Sequence, residues 1–215
     1  MTGPNTEKED LMDNSGFEEL FSASPLMAIL RGMGPQRSLA VSTTAWDLGI
    51  EVVELPIQTP DDIEALRLVA AAGRERGKTV GAGTVITEEH VAQAASAGAA
   101  FTVSPGLDLN VVRASHDAGM LSIPGVATAS EVQLAMTSGL TWLKAFPASL
   151  LGPEWLTAMH GPFPDARFVT TGGMNAANAG DYLRAGARVV AVGSALEDPT
   201  QLPLLAELLG DRDRE

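Results

Sequence analysis

Eight times along this chain a run of four to six largely apolar residues stops at a glycine or proline and gives way to a helical segment. The runs are 26–31, 51–56, 79–83, 101–104, 121–124, 141–146, 167–171 and 188–192. Each has strand length and strand formers, and each is punctuated by residues that end pairing. Helices are predicted between them at 35–48, from Thr59-Pro60-Asp61-Asp62 onward, at 87–97, 108–118, 130–137, 153–159 and 175–184. A short opening helix at 16–21 and a closing one at 202–209 complete the pattern. The Thr59 tetrad is a helix start, with a capping hydroxyl, proline at the first position and acids in the first turn. Ala-Gly pairs at 97–98, 118–119 and 185–186 stop one helix and feed the next strand. Strands joined through helices must run parallel, and eight such units in about 190 residues predict a single-domain (β/α)8 TIM barrel over 16–210. A disordered polar tail (1–15) and a charged one (211–215) flank it. An open doubly wound sheet is the alternative. It is disfavoured because no G-x-G-x-x-G follows the first strand, and Gly81-Ala82-Gly83 lacks the third glycine.

One run contains a residue that does not belong in a strand interior. Lys144 lies between Leu143 and Ala145, sharing a face with Trp142 and Phe146, and the chain's only other lysines are Lys8 and Lys78. Desolvation there disfavours the ammonium form, and a neutral amine is what attack on a ketone requires. The competing reading is a strand-end lysine whose head snorkels to water.

Composition narrows the classes. The formal charge of −13 argues against a nucleic-acid footprint, and no apolar run is long enough to cross a bilayer. The N-terminus has no hydrophobic signal segment. Zero cysteines exclude disulfides, thiolate metal sites and a cysteine nucleophile, which suits a reducing cytoplasmic setting.

In a barrel, residues at the C-terminal strand ends surround one mouth. Here they are Arg31, Glu54, Thr84, Ser104, Pro124, Lys144, Thr171-Gly172-Gly173 and Gly193-Ser194. Glu54, between Val53 and Leu55, is placed to have a raised pKa and do acid/base work, or else to form a structural pair with Arg31. The glycine turns after strands seven and eight are a phosphate cradle or two ordinary tight turns. His90, His116 and His160 fall on helices or helix ends with no shared metal spacing, and Trp46 and Trp155 read as helix packing.

The motifs A-I-L-R (28–31), V-V-E-L-P (52–56), G-A-G-T-V (81–85), S-P-G (104–106), L-K-A-F-P-A (143–148) and T-G-G-M (171–174) occur in this order. Together they resemble the small class I aldolases that cleave 2-keto-3-deoxy-6-phosphogluconate, its galactonate epimer and 4-hydroxy-2-oxoglutarate. The resemblance spans 26–195. It implies that Lys144 is the Schiff-base lysine and Glu54 a proton shuttle working through a water. It implies that Arg31 and Thr84 line the pyruvyl end, with Pro105 and Phe146 shaping it. Gly172, Gly173, Gly193 and Ser194 would bind phosphate, with Thr171 beside them. A metal-independent homotrimer with no cofactor beyond the lysine imine is also implied. One position departs: gluconate-type members carry an arginine where this chain has Gln58, and galactonate-type members tend to have an amide there. L-R-G at 30–32 is likewise closer to the galactonate type, whereas G-P-F-P-D-A-R-F (161–168) resembles the gluconate type.

The expected reaction is cleavage of a phosphorylated 2-keto-3-deoxy sugar acid to pyruvate and glyceraldehyde 3-phosphate. Three alternatives stay open: 4-hydroxy-2-oxoglutarate as substrate, another phosphate-binding barrel enzyme using Glu54 or Lys144 for proton transfer, and an idle binder of sugar-acid phosphates.

Overall fold

The computed structural model describes residues 12–210. The 1–11 part of the N-terminal tail and the charged tail at 211–215 lie outside the described residues.

The elements follow one another as α1 (Phe17–Leu20), β1 (Leu26–Ile29), α2 (Gly34–Leu48), β2 (Val52–Pro56), α3 (Pro60–Arg76), β3 (Thr79–Gly83), α4 (Glu88–Ala97), β4 (Phe101–Val103) and α5 (Leu109–Asp117). Then come β5 (Leu121–Ile123), β6 (Gly125–Val126), α6 (Ala129–Thr137), β7 (Trp142–Ala145), α7 (Ala148–Leu151) and α8 (Pro153–His160). The chain closes with β8 (Arg167–Thr171), α9 (Ala176–Arg184), β9 (Ala187–Val192), a 3-10 helix (Ser194–Glu197) and α10 (Leu202–Gly210). Polar side chains cap the starts of α3, α4, α5, α6 and α9. Thr59 and Thr128 form reciprocal capping boxes with Asp62 and Glu131, and Asn175 does so with Asn178.

All strand pairs are parallel, in the order β5-β4-β3-β2-β1-β9-β8-β7-β6. The two ends of that order are halves of one chain segment, so the sheet closes into a (β/α)8 barrel. Pro124 separates the halves: it has no N–H for the ladder, so β5 pairs β4 and β6 pairs β7. The sequence places one strand at 121–124; the structure divides it at its proline. The proline carbonyl still accepts from Lys144 N–H at 2.8 Å.

Below that break the seam is bridged by Asn14, which is fully buried. Its amide donates to the carbonyls of Ser122 and Trp142, and its oxygen accepts from the N–H groups of Thr141 and Trp142, all within 3.1 Å. Asn14, drawn by the sequence into a disordered tail, is therefore part of the barrel wall. The reason is the set of backbone groups the interrupted ladder leaves unpaired.

Alternation divides the apolar residues into two cores. Outward-facing Leu26, Ala28, Val53, Leu55, Leu143 and Ala145 pack beneath the helices. Inward-facing Met27, Val52, Phe101, Val103, Ile123, Trp142, Val169 and Val189 fill the barrel. Phe17 of α1 and Phe21 just after it add two rings that stack and edge onto Trp142 and Phe101, with centroids 5.3–6.0 Å apart, and close the N-terminal mouth. The filled lower layers leave the opposite mouth as the place for a site.

Candidate active site

The two inward positions above this filling carry ionisable side chains, Glu54 and Lys144. Glu54 stands two residues after Val52 and Lys144 two after Trp142, so each points inward one layer above a core side chain. Glu54 is 1 % exposed and Lys144 3 %. Burial thus decides between the two readings of Lys144: its head does not reach bulk water.

Room for Glu54 comes from β3. A Cβ on Gly83 would stand 1.5 Å from Glu54 Oε1, so only glycine at that position lets the carboxyl lie across the strand. Lys144 Nζ lies 4.9 Å from the Phe146 ring centroid. Burial pushes the Glu54 carboxyl above its ordinary 4.5, against the attraction of the Lys144 and Arg31 charges. Burial also pulls the Lys144 amine below 10.5; the Glu54 charge opposes this and Arg31 reinforces it. Among the described residues Glu54 Oε2 has no hydrogen-bond partner. Burial thus disfavours the charged form of both the carboxyl and the amine.

A cleft of about 570 Å³ opens at this mouth. Arg31, Phe146, Thr171, Gly172, Gly173, Gly193 and Ser194 line it, so seven of the residues singled out in the sequence converge on one space. Gly172 and Gly173 have φ of +98° and +79°, which favours glycine, and the second stands so close to Ser149 that a Cβ would meet its side chain at 2.6 Å. Thr171 is 6 % exposed and its Oγ1 is unpartnered. Ala191, Ile29, Met33, Met174, Asn175 and Glu197 complete the lining.

Gln58, Thr84 and Pro105 sit outside this lining, as do the buried Glu54 and Lys144. Gln58 accepts a hydrogen bond from Arg31 Nη1 at 2.8 Å, so it orients the arginine instead of facing the cleft. Thr84 follows β3 with φ of 58°, a left-handed conformation that is costly for a β-branched residue and, among the described residues, adopted otherwise only by glycines. The Pro105 carbonyl packs against Gly125 so closely that a Cβ there would fall 2.2 Å away. Glu197 escaped sequence reasoning because it belongs to no strand end; the 3-10 turn after Gly193 brings it to the cleft.

The histidines are elsewhere. His116 and His160 hydrogen-bond the carbonyls of Asp13 and Gly186, and His90 Nδ1 accepts from Ile86 N–H. Among the described residues no cluster of three or more His, Asp or Glu is placed to hold a metal ion.

Comparison with known proteins identifies a family. The family model "KDPG and KHG aldolase" matches residues 17–203. A Rhizobium meliloti (strain 1021) protein named a probable 2-dehydro-3-deoxy-6-phosphogalactonate aldolase is 36 % identical over 176 residues, 81 % of this chain and 82 % of its own length. The Escherichia coli (strain K12) KHG/KDPG aldolase is 33 % identical over 198 residues, 92 % of this chain and 90 % of that protein. A KDPG aldolase from Legionella pneumophila, whose crystal structure holds pyruvate as a covalent carbinolamine, superposes with a TM-score of 0.76 at 32 % identity. That alignment covers 88 % of this chain and 94 % of the other. With a buried lysine and glutamate beneath a glycine-walled cleft, and with relatives matched along most of their length, the chain belongs to the KDPG and KHG aldolase family.

Proposed function

We propose that the protein is a class I aldolase that cleaves a 2-keto-3-deoxy-6-phospho sugar acid to pyruvate and glyceraldehyde 3-phosphate. The observation that carries this reading is the buried, inward-facing pair of Lys144 and Glu54, whose protonation equilibria are both displaced toward neutral forms. The neutral Lys144 amine adds to the C2 ketone, and the carbinolamine hydroxyl takes the Glu54 proton and leaves as water, giving a protonated imine and the Glu54 carboxylate. Glu54 takes the C4 hydroxyl proton. The C3–C4 electron pair moves into the imine, giving an enamine and releasing glyceraldehyde 3-phosphate. Protonation of the enamine at C3, followed by addition of water, frees pyruvate and restores the amine. The imine supplies the electron sink, so the scheme uses neither metal nor cofactor. Arg31, held by Gln58, is positioned for the substrate carboxylate, and the turns at 172–173 and 193–194 for the phosphate. Thr84, Pro105 and Phe146 shape the reacting end. The homotrimer implied by the family resemblance is part of the same reading.

The Legionella relative's covalent pyruvate carbinolamine supports a covalent lysine here. Borohydride reduction in the presence of pyruvate is the test. We expect a stable pyruvyl mass increment on the wild-type chain and none on Lys144→Ala. An unmodified wild-type chain would overturn the mechanism.

A further inference from the structure

Among the described residues Glu197 is the single acidic side chain in the cleft lining, carried there by the short 3-10 helix that begins at Ser194. It therefore stands on the same wall as the turn assigned to the phosphate. A bare carboxylate there would repel a dianion, the more so in a cleft where water screens poorly. Nor does the rest of the molecule compensate, since the chain carries a net charge of −13.

Glu197 is not bare. Arg37, in the first turn of α2, places Nη2 2.5 Å from Glu197 Oε1. The arginine side chain is 65 % exposed and the glutamate 27 %, so the pair sits at the rim, with the carboxylate on the inner side. The other guanidinium of the site, Arg31, is committed to Gln58.

We propose that Arg37 is a positioning residue that sets specificity for phosphorylated substrates, by neutralising Glu197 on the wall of the phosphate end. It touches neither the reacting atoms nor the phosphate. The ligand class it admits is a 2-keto acid with a distal phosphate; without it the cleft favours the same acid with an uncharged distal end. This inference rests on the aldolase reading above.

The test compares a 2-keto-3-deoxy-6-phospho sugar acid with the same acid lacking its phosphate, on wild type, Arg37→Ala and the double variant Arg37→Ala with Glu197→Gln. Arg37→Ala should raise KM for the phosphorylated substrate by about tenfold, the order of one partly screened like-charge contact. We expect kcat, and KM for the unphosphorylated acid, to hold. The double variant should return KM to near the wild-type value, and high salt should shrink the Arg37→Ala defect. An unchanged KM in Arg37→Ala, an equal rise for both substrates, or a defect that persists in the double variant would each overturn the proposal. The pyruvate adduct separates the two levels. Its presence on Arg37→Ala with an unchanged KM removes only the role of Arg37, whereas its absence from wild type removes the aldolase chemistry and this inference with it.

Discussion

The protonation equilibria of Glu54 and Lys144 are displaced by burial from those of an unfolded chain, and each displacement is a cost to stability. Glu54 binds its proton more tightly when folded, so its burden on stability is absent below 4.5 and grows as pH rises through the higher folded value. Lys144 binds its proton less tightly when folded. Its burden is absent above 10.5 and grows as pH falls through the lower folded value. Replacing both, Glu54→Gln with Lys144→Met, should abolish cleavage yet stabilise the fold by about 1–4 kcal/mol, as buried charged pairs replaced by less polar groups often do. That gain should be largest between pH 4.5 and 10.5 and smaller on either side, which urea unfolding across the pH range would show. An unstable double variant at pH 7 would mean that the pair supports the fold. Lys144 was legible because a lysine among Trp, Leu, Ala and Phe is chemically out of place. Glu197 was not, because nothing local marks it; only the turn after β9 takes it to the cleft.

Among the elements, the strands and most helices could be read from their punctuation. Glycine, proline and capping side chains act within a few residues of themselves, so their effects are local. The strand at 79–83 has the bounds its sequence pattern predicts, and so does that at 167–171. The seam between β5, β6 and β7 was not legible. Asn14 bridges it to partners 108 and 128 positions away, and a polar residue in a polar opening segment carries no mark of that role. Asn14→Ala should destabilise the protein by about 3 kcal/mol or more, since several buried backbone groups lose their partner at once. A denaturant midpoint within error of wild type would show that the seam is held by other contacts. The short α7 was likewise unpredicted, being a single turn before the Gly152-Pro153 start of α8.

At the scale of the whole molecule, the barrel separates stability from chemistry along its axis. The N-terminal end is stoppered by Phe17 and Phe21 against Trp142, and Glu54 and Lys144, proposed to react, lie above that layer. Phe17→Ala should therefore cost about 3–5 kcal/mol of stability, as truncating a buried aromatic does, while the folded fraction still forms the pyruvate adduct. Loss of the adduct at temperatures where the variant is folded would show that the two ends are coupled. The sequence by itself determined the number and order of strand–helix units, the parallel barrel they require, and the residue types at its C-terminal mouth, because periodicity, caps and breakers are local properties. Only the tertiary structure decided that Lys144 is buried instead of snorkelling, and that Gly83 yields its space to Glu54. It also decided that Gln58 serves Arg31, and that Glu197 and Arg37 meet at the rim. Each of these depends on which strands become neighbours when the sheet closes, and closure brings together residues that no local pattern relates.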